Sequence, residues 1–170
     1  MKRCLVFHPL VILMALFLGC RCEQETVAQV DLGKEKAAAT ELMNQFWQSF
    51  ETGDINLVSE VMAHDSDMVV IGTDAAELWV GYDDFEAAME QQFAAMESLG
   101  VSLDDEALKV HGSGEVAWYS GIAGFKGTSM GEDFEFDGMR VTAVLEKRDA
   151  KWVIVQYHGS APVTGSLVEY

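Results

Sequence analysis

The sequence predicts an α+β domain in which a curved, mostly antiparallel sheet of about six strands wraps three helices. Apolar residues at helical spacing occur only before Gly100. Four long stretches rich in β-branched and aromatic residues follow, separated by short turn sequences. With 170 residues, 49% of them apolar and 23% charged, the chain is long enough for one globular domain.

The first two helices are predicted on either side of Gly53. In "EKAAATELMNQFWQSFETGD", five apolar residues fall at helical spacing: Leu42, Met43, Phe46, Trp47 and Phe50. Gly53 suits the left-handed residue that ends a helix, and Asp54 can cap a second, short helix. "DMVVIGT" and "ELWVG" then predict two short strands joined by a turn from Asp74 to Ala76.

A third helix is predicted from Asp83, where Glu86 completes a possible capping box. Its apolar stripe ends at Met96, and Gly100 is expected to stop it. The rest of the chain predicts a four-stranded meander. Its strands are "VSLDDEALKVH", "EVAWYSGIAGF", "FEFDGMRVTAVLEKR" and "WVIVQYHGSAP", separated by "GSG", a loop around "KGTSMGED", and "DAK".

The N-terminal residues predict an export signal. Lys2 and Arg3 precede a mostly apolar run that is too short to cross a membrane, since a spanning helix needs roughly 20 apolar residues. "LFLGC", ending at Cys20, resembles the lipobox of bacterial lipoproteins. The resemblance implies cleavage after residue 19, lipidation of Cys20 and, with Arg21 next, sorting to an outer membrane where the host has one. A plain secretory signal is the alternative.

We therefore expect a signal peptide over residues 1–19, a lipidated tether over 20–33 and one domain over 34–170. Cys4 would leave with the signal, and Cys20 and Cys22 lie in the tether, so no disulfide framework is expected. Loss of Lys2 and Arg3 changes the formal charge from −17 to −19. Such an acidic chain argues against nucleic acid and anionic lipid as partners, which leaves the lipid anchor as the membrane contact.

Several short motifs follow one another along the domain: "GTDAAELWVG", "VAWYS", "G.RVTAVLEKRD.KW" and "QYHGSAPV". Over about residues 36–163 they resemble the SnoaL-like branch of the nuclear transport factor 2 (NTF2-like) superfamily. The resemblance implies a cone-shaped sheet closed by helices around an internal pocket, which members use for several reactions or for binding alone. Many members dimerise. Gln156 departs from relatives that have a histidine there, which weakens any paired-histidine site.

Alternation along the strands predicts which polar side chains enter the pocket. Arg140 is in phase with Phe134 and Phe136, and His158 is in phase with Trp152. Both are therefore expected to face inward. Arg140 then needs a carboxylate, Glu77 or Asp74, or a ligand that it anchors.

The remaining candidates surround these two. His158 is either a general acid or base or a plain cavity-wall residue. Gln156 and Ser160, in phase with it, either orient the imidazole or bind ligand, and Asp65 or Glu77 would orient it in an enzyme. Trp47, Trp79 and Trp118, like Trp152, are expected on buried faces, either as core or as pocket wall.

Metal sites are not expected. His64, Asp65 and Asp67 in "AHDSD" have ligand chemistry, but His64 at a helix end also favours the helix dipole. His111 is expected to be an exposed strand-end residue. No cofactor motif occurs in the sequence.

Three functions remain open from the sequence. The preferred one is a lipid-anchored protein that binds a small hydrophobic or carbonyl- or carboxylate-bearing molecule, held by Arg140 and His158. The second is an isomerase, dehydratase, cyclase or hydrolase that uses His158, with Arg140 steadying negative charge. The third is a non-catalytic dimeric assembly module. Val141, Ala143, Leu145, Val153, Val155 and Tyr157 are expected to make the outer sheet face apolar and to form a homodimer interface.

Overall fold

The computed structural model describes residues 30–163. The three helices are α1 (Leu32–Thr52), α2 (Ile55–Val61) and α3 (Tyr82–Ala95). The six strands are β1 (Val69–Ile71), β2 (Leu78–Val80), β3 (Met96–Val110), β4 (Val116–Ser129), β5 (Glu132–Arg148) and β6 (Lys151–Ser160). The predicted signal peptide and Cys20 lie outside the described residues. Among the helices within 30–163, none is long and apolar enough to cross a membrane.

The strands form one mixed sheet in the order β2-β1-β6-β5-β4-β3. Strands β1 and β6 run parallel, and every other neighbouring pair is antiparallel. The helices cover one face of this sheet, where α1 packs on β3 and β6. The predicted α+β class, with about six strands around three helices, is therefore confirmed.

The ends of α1 and α2 follow from local chemistry. The Asp31 carboxylate accepts hydrogen bonds from the Gly33 and Lys34 amides at 3.1 Å each, so α1 begins two residues inside the predicted tether. Gly53 ends α1 with a φ of 62°, in the left-handed region that glycine tolerates. Asp54 caps α2 by accepting from the Asn56 amide at 3.0 Å. Both predicted signals are confirmed.

Helix α3 differs from the prediction at both ends. Gly81 precedes its first turn, and no side chain caps that turn. Glu86 accepts a 2.6 Å hydrogen bond from the Tyr82 hydroxyl instead of completing a capping box with Asp83. The helix ends at Ala95, and β3 begins at the next residue and runs through Gly100. The residues around Gly100 pair along β4, and this sheet pairing overrides their helical spacing.

The β4–β5 connection is tighter than the predicted loop. Only Met130 and Gly131 separate the two strands, and both have positive φ values, 53° and 80°. Two successive positive φ values are typical of the turns that join twisted antiparallel strands tightly. Asp149 and Ala150 form the same kind of connection between β5 and β6, where a turn was predicted.

One extra residue interrupts the alternation of β5. Phe136 pairs with Phe125 and Met139 with Ala123, so three steps along β5 oppose two along β4. Gly138 lies within this bulge with a φ of 79°. A bulge of this kind moves every later side chain to the opposite face. Met139 therefore continues the inner face that Phe134 and Phe136 begin.

A second irregularity shifts the alternation of β6. Val144 pairs with Gln156, but Leu145 pairs with Ile154, so two steps along β6 oppose one along β5. Trp152 and Ile154 lie on the inner face before this point, and Tyr157 lies there after it. Because β5 is shifted as well, Val141, Ala143 and Leu145 are also core residues and not part of an apolar outer face.

A partly buried polar cluster holds the start of α1 on the β5–β6 hairpin. One oxygen of the Glu35 carboxylate contacts the Lys147 ammonium at 2.6 Å, and the other accepts from the Trp152 indole N–H at 3.1 Å. The Glu35 and Lys147 side chains are only 13% and 25% exposed. The hydrogen bond from Lys147, supported by that from Trp152, lowers the pKa of Glu35 below its ordinary value of 4.5.

This cluster predicts a pH-dependent stability difference. A lowered folded-state pKa means that the Glu35 contribution is fully present above about pH 4.5 and is lost as the pH falls through that pKa. Glu35→Gln should therefore melt below the wild type at pH 7, and the two melting temperatures should converge as the pH falls through the lowered pKa of Glu35. Thermal denaturation followed by circular dichroism from pH 3 to 7 measures this. The exposed Glu90→Gln is the matched control, and an equal gap at both ends of the range would contradict the assignment.

Candidate functional site

A cavity of about 380 Å³ lies between the sheet and the helices. Its wall includes residues of α1, α3 and the sheet, and the segment after β6 closes it through Ala161. Thr73, Asp74 and Gln92 line the cavity and are also exposed to solvent, so they mark its mouth. The volume falls within the range of small-molecule sites, roughly 300–1,000 Å³.

Eight aromatic residues contribute to the wall. The helices contribute Phe46, Phe50 and Phe85, and the strands contribute Trp79, Phe125, Phe134, Phe136 and Tyr157. The rings pack at angles to one another: Phe46 and Phe50 are 5.1 Å apart edge to face, and Trp79 and Phe85 are 6.0 Å apart. This arrangement leaves a space that flat or branched apolar groups can fill.

The β1–β2 hairpin places two carboxylates at the cavity. One oxygen of Glu77 accepts from the Thr73 amide at 2.7 Å and from the Asp74 amide at 2.9 Å, so the carboxylate holds its own turn together. Gly72 is required beneath it, because a β-carbon there would lie 2.3 Å from that oxygen. An oxygen of Asp74 accepts from the Ala76 amide at 2.9 Å. Both acids line the cavity, and neither forms an ion pair within residues 30–163.

Tyr157 supplies a polar atom inside the wall. The residue is 7% exposed, and its ring packs 5.0 Å from that of Phe46. Gly159 leaves room beside it, since a β-carbon there would lie 3.6 Å from the tyrosine ring. Burial raises the pKa of the Tyr157 hydroxyl far above its ordinary value, so the group is protonated and can donate a hydrogen bond. It makes no side-chain hydrogen bond to another residue of the described chain.

The inward orientation predicted for Arg140 is wrong. The residue is exposed on the outer sheet face, where it pairs across the sheet with Ile122 and Ser160. Its guanidinium donates to the Ala161 carbonyl at 3.2 Å and forms no ion pair with Glu77 or Asp74. The bulge at Gly138 separates Arg140 from the phase of Phe136, which is why simple alternation failed.

The inward orientation predicted for His158 is also wrong, for the same reason on β6. His158, Gln156 and Ser160 alternate with the inward Tyr157 and Gly159, so they lie on the outer face. The shift between Ile154 and Gln156 breaks their phase with Trp152. None of the three lines the cavity.

The predicted tryptophans lie in three different environments. Trp79 lines the cavity, whereas Trp47 is buried in the core beside it, 3% exposed. Trp118 is 44% exposed on the outer face, which contradicts its expected burial. The Lys109 ammonium lies 5.8 Å from its ring. Trp152 is buried and bonded to Glu35.

The histidines near turns have local partners. The His64 Nε2 atom lies 2.8 Å from the Ser59 carbonyl oxygen, and the His64 ring stacks on that of Tyr82 with the centroids 3.9 Å apart. His64 thus lies just beyond the end of α2, as predicted. Asp65 pairs with Arg148 and is not positioned to orient His158. His111 is exposed and contacts Ser113 across its turn. Between residues 30 and 163, no three potential ligands, Asp67 included, come together to hold a metal ion.

Sequence reasoning missed most of the cavity wall. Phe46, Phe50 and Phe85 were recognised only as helix core, and Tyr157 was placed on the outer face. One signal was present for β5: an isolated glycine inside a strand, here Gly138, often marks a bulge.

Comparison with known proteins identifies the family and the fold to which this architecture belongs. The profile of the SnoaL-like domain matches residues 39–164. A protein of the nuclear transport factor 2 (NTF2-like) superfamily from Salmonella enterica serovar Typhimurium superposes with a TM-score of 0.71 and 20% identity, covering 81% of this chain and 99% of its own. No curated protein matched the sequence.

Two further solved structures carry provisional enzyme names. One, from Streptomyces avermitilis, is named a dehydratase of the NTF2-like family, with 15% identity, a TM-score of 0.68 and coverage of 78% of this chain and 99% of its own. The other, from Shewanella frigidimarina, is named a ketosteroid isomerase, with 19% identity, a TM-score of 0.62 and coverage of 74% and 97%. At these identities the likeness shows the fold alone. Because the family profile covers most of the sequence, the chain belongs to the SnoaL-like domain family and has the NTF2-like fold.

Proposed function

We propose that this protein binds a small, mostly apolar molecule in the cavity between its sheet and helices. The observation that carries the proposal is a cavity of about 380 Å³ with eight aromatic residues on its wall and polar side chains concentrated at its mouth. Buried apolar surface supplies affinity in such sites, and a few polar groups set orientation.

An enzyme built on His158 has no support from this geometry. A general acid or base must come within hydrogen-bond reach of the reacting group, and His158 lies on the opposite face of the sheet from the cavity. Arg140 is likewise placed outside, so it cannot stabilise charge on a molecule inside. The provisional enzyme names of the neighbours differ from one another, and fold alone does not choose between them.

Filling the cavity from one wall should weaken binding without unfolding the protein. Ala161 lines the cavity just after β6 ends, so Ala161→Trp places an indole in the space that the ligand would occupy. We expect the affinity for the neutral fluorescent probe N-phenyl-1-naphthylamine to fall at least about tenfold, measured by fluorescence titration of the chain lacking residues 1–19. Val163→Trp, two residues further along and 85% exposed, is the matched control. Unchanged affinity in Ala161→Trp would place the probe elsewhere.

We further propose that the protein is exported and anchored through lipid on Cys20. The support is the apolar N-terminal run and the "LFLGC" sequence. Lipid and the short tether before Asp31 would hold the domain close to the membrane, while its acidic surface opposes direct contact with anionic lipid.

A fatty-acid label distinguishes the anchor from a plain secretory signal. Cells expressing the full chain and fed an alkyne-bearing fatty acid should yield labelled wild-type protein in the membrane fraction. Cys20→Ala should lose the label, and Cys22→Ala, two residues away, should keep it. Secretion of unlabelled wild-type protein into the soluble fraction would contradict the anchor.

We also propose that a second copy of the chain covers the outer sheet face. Two rows of side chains cross all six strands there: Val80, Val69, Gln156, Val144, Trp118 and Lys109 in one, and Leu78, Ile71, His158, Thr142, Ser120 and Ala107 in the other. These rows contain no carboxylate, although the chain has a formal charge of −17. Two copies can therefore approach face to face with the least charge repulsion.

A charge in the middle of this face should separate the copies. Trp118→Glu would bury an unpaired carboxylate in the interface, which costs roughly 3 kcal/mol or more. We expect sedimentation velocity to give a dimer for the wild type and a monomer for Trp118→Glu. Met130→Glu is the control, because Met130 is 87% exposed at the β4–β5 turn and outside the two rows. A monomeric wild type at micromolar concentration would refute the interface.

A further inference from the structure

The charges around the cavity are all of one sign. Asp74 and Glu77 are the carboxylates on its wall, and none of the described residues that line it is a lysine, arginine or histidine. The Arg140 guanidinium bonds the Ala161 carbonyl but lies on the outer face of the sheet. A molecule that enters through the mouth therefore meets negative charge first.

The carboxylates retain the capacity to bind a ligand. The Glu77 contacts involve one of its two oxygens, and the hydrogen bond from Ala76 involves one oxygen of Asp74. Neither acid is neutralised by a basic side chain within the described part of the chain. Both lie on the hairpin that also carries Trp79, so carboxylates and an aromatic ring share one wall.

The aromatic lining favours the same kind of ligand. Trp79 and Phe85 pack edge to face beside this hairpin, and tryptophan is the ring that attracts a cation most strongly. Tyr157, also in the wall, is 7% exposed, and its hydroxyl makes no side-chain hydrogen bond within the described chain. An oxygen in that position can accept a hydrogen bond from an ammonium group or donate one to a ligand oxygen.

We propose that the ligand is an organic cation, an amine or quaternary ammonium whose apolar body fills the aromatic cavity while its charge lies near Asp74, Glu77 and Trp79. The inference rests on the proposed binding function and specifies its ligand class. It replaces the carboxylate-bearing ligand expected from the sequence, because the arginine meant to hold that carboxylate lies outside the cavity.

Three probes of similar shape test the inference. Benzyltrimethylammonium is the cation, neopentylbenzene is its uncharged isostere, and phenylacetate is the anion. Each is titrated against the chain lacking residues 1–19 with N-phenyl-1-naphthylamine bound, and displacement is followed by fluorescence at physiological salt. We expect the cation to displace the probe at about tenfold lower concentration than its neutral isostere, equivalent to about 1.4 kcal/mol, and phenylacetate to be the weakest.

A matched pair of variants separates the mouth from the general acidity of the protein. Asp74→Asn keeps an acceptor for the Ala76 amide and should lower the affinity for the cation much more than the affinity for neopentylbenzene, which removes most of the cation preference. Asp84→Asn removes an exposed carboxylate of α3 that does not line the cavity, and it should leave both affinities unchanged.

Each other outcome has a definite meaning. Equal or tighter binding of the neutral or anionic probe overturns the cation inference but leaves the proposed binding function standing. A cation preference that Asp74→Asn and Asp84→Asn change equally, or leave equally intact, also overturns it, because Asp74 then contributes no more than an exposed carboxylate outside the cavity. If neither N-phenyl-1-naphthylamine nor any of the three probes binds, the proposed function itself fails.

Discussion

The phase of β5 and β6 determines what the cavity is made of. Each strand contains one irregularity, near Gly138 in β5 and between Ile154 and Gln156 in β6, and each moves all later side chains to the other face. The interior consequently receives Met139 and Tyr157. Arg140 and His158, which follow these two residues, point to the outer face instead. Tyr157 thereby joins the aromatic wall, to which Phe134 and Phe136 contribute before the irregularity of β5.

The cavity persists because the helices fill only part of the space inside the sheet. Phe46 and Trp47 of α1 pack tightly there, both at most 3% exposed. Gly159 of β6 and Ala161 just after it offer little volume to the interior. Glu35 ties the start of α1 to the β5–β6 hairpin, so the helix cannot slide along the sheet to fill the gap. The tightly packed part of the core and the cavity are therefore formed by different segments of the chain.

The sequence was sufficient for the architecture but not for the site. Element order and caps such as Gly53 and Asp54 depend on local chemistry, which a single sequence expresses directly. The faces of β5 and β6 depend on pairing with a neighbouring strand, and one unpaired residue inverts them. The polar residues Gln156 and His158 conflicted with the phase of Trp152. Their alternation with Tyr157 was the visible sign that the strand had changed phase.

The distribution of charge gives the two sides of the sheet different roles. Lys147 and Arg148 are tied to carboxylates at the hairpin, whereas Asp74 and Glu77 at the cavity form no ion pair with any residue from 30 to 163. The two outer rows carry Lys109 and His158 but no acid, so a second negatively charged copy meets least repulsion there. A dimer formed through that face would leave the mouth uncovered, because the cavity lies on the opposite side of the sheet. Assembly would then be compatible with ligand entry, and the negative potential at the mouth would select the ligand's charge.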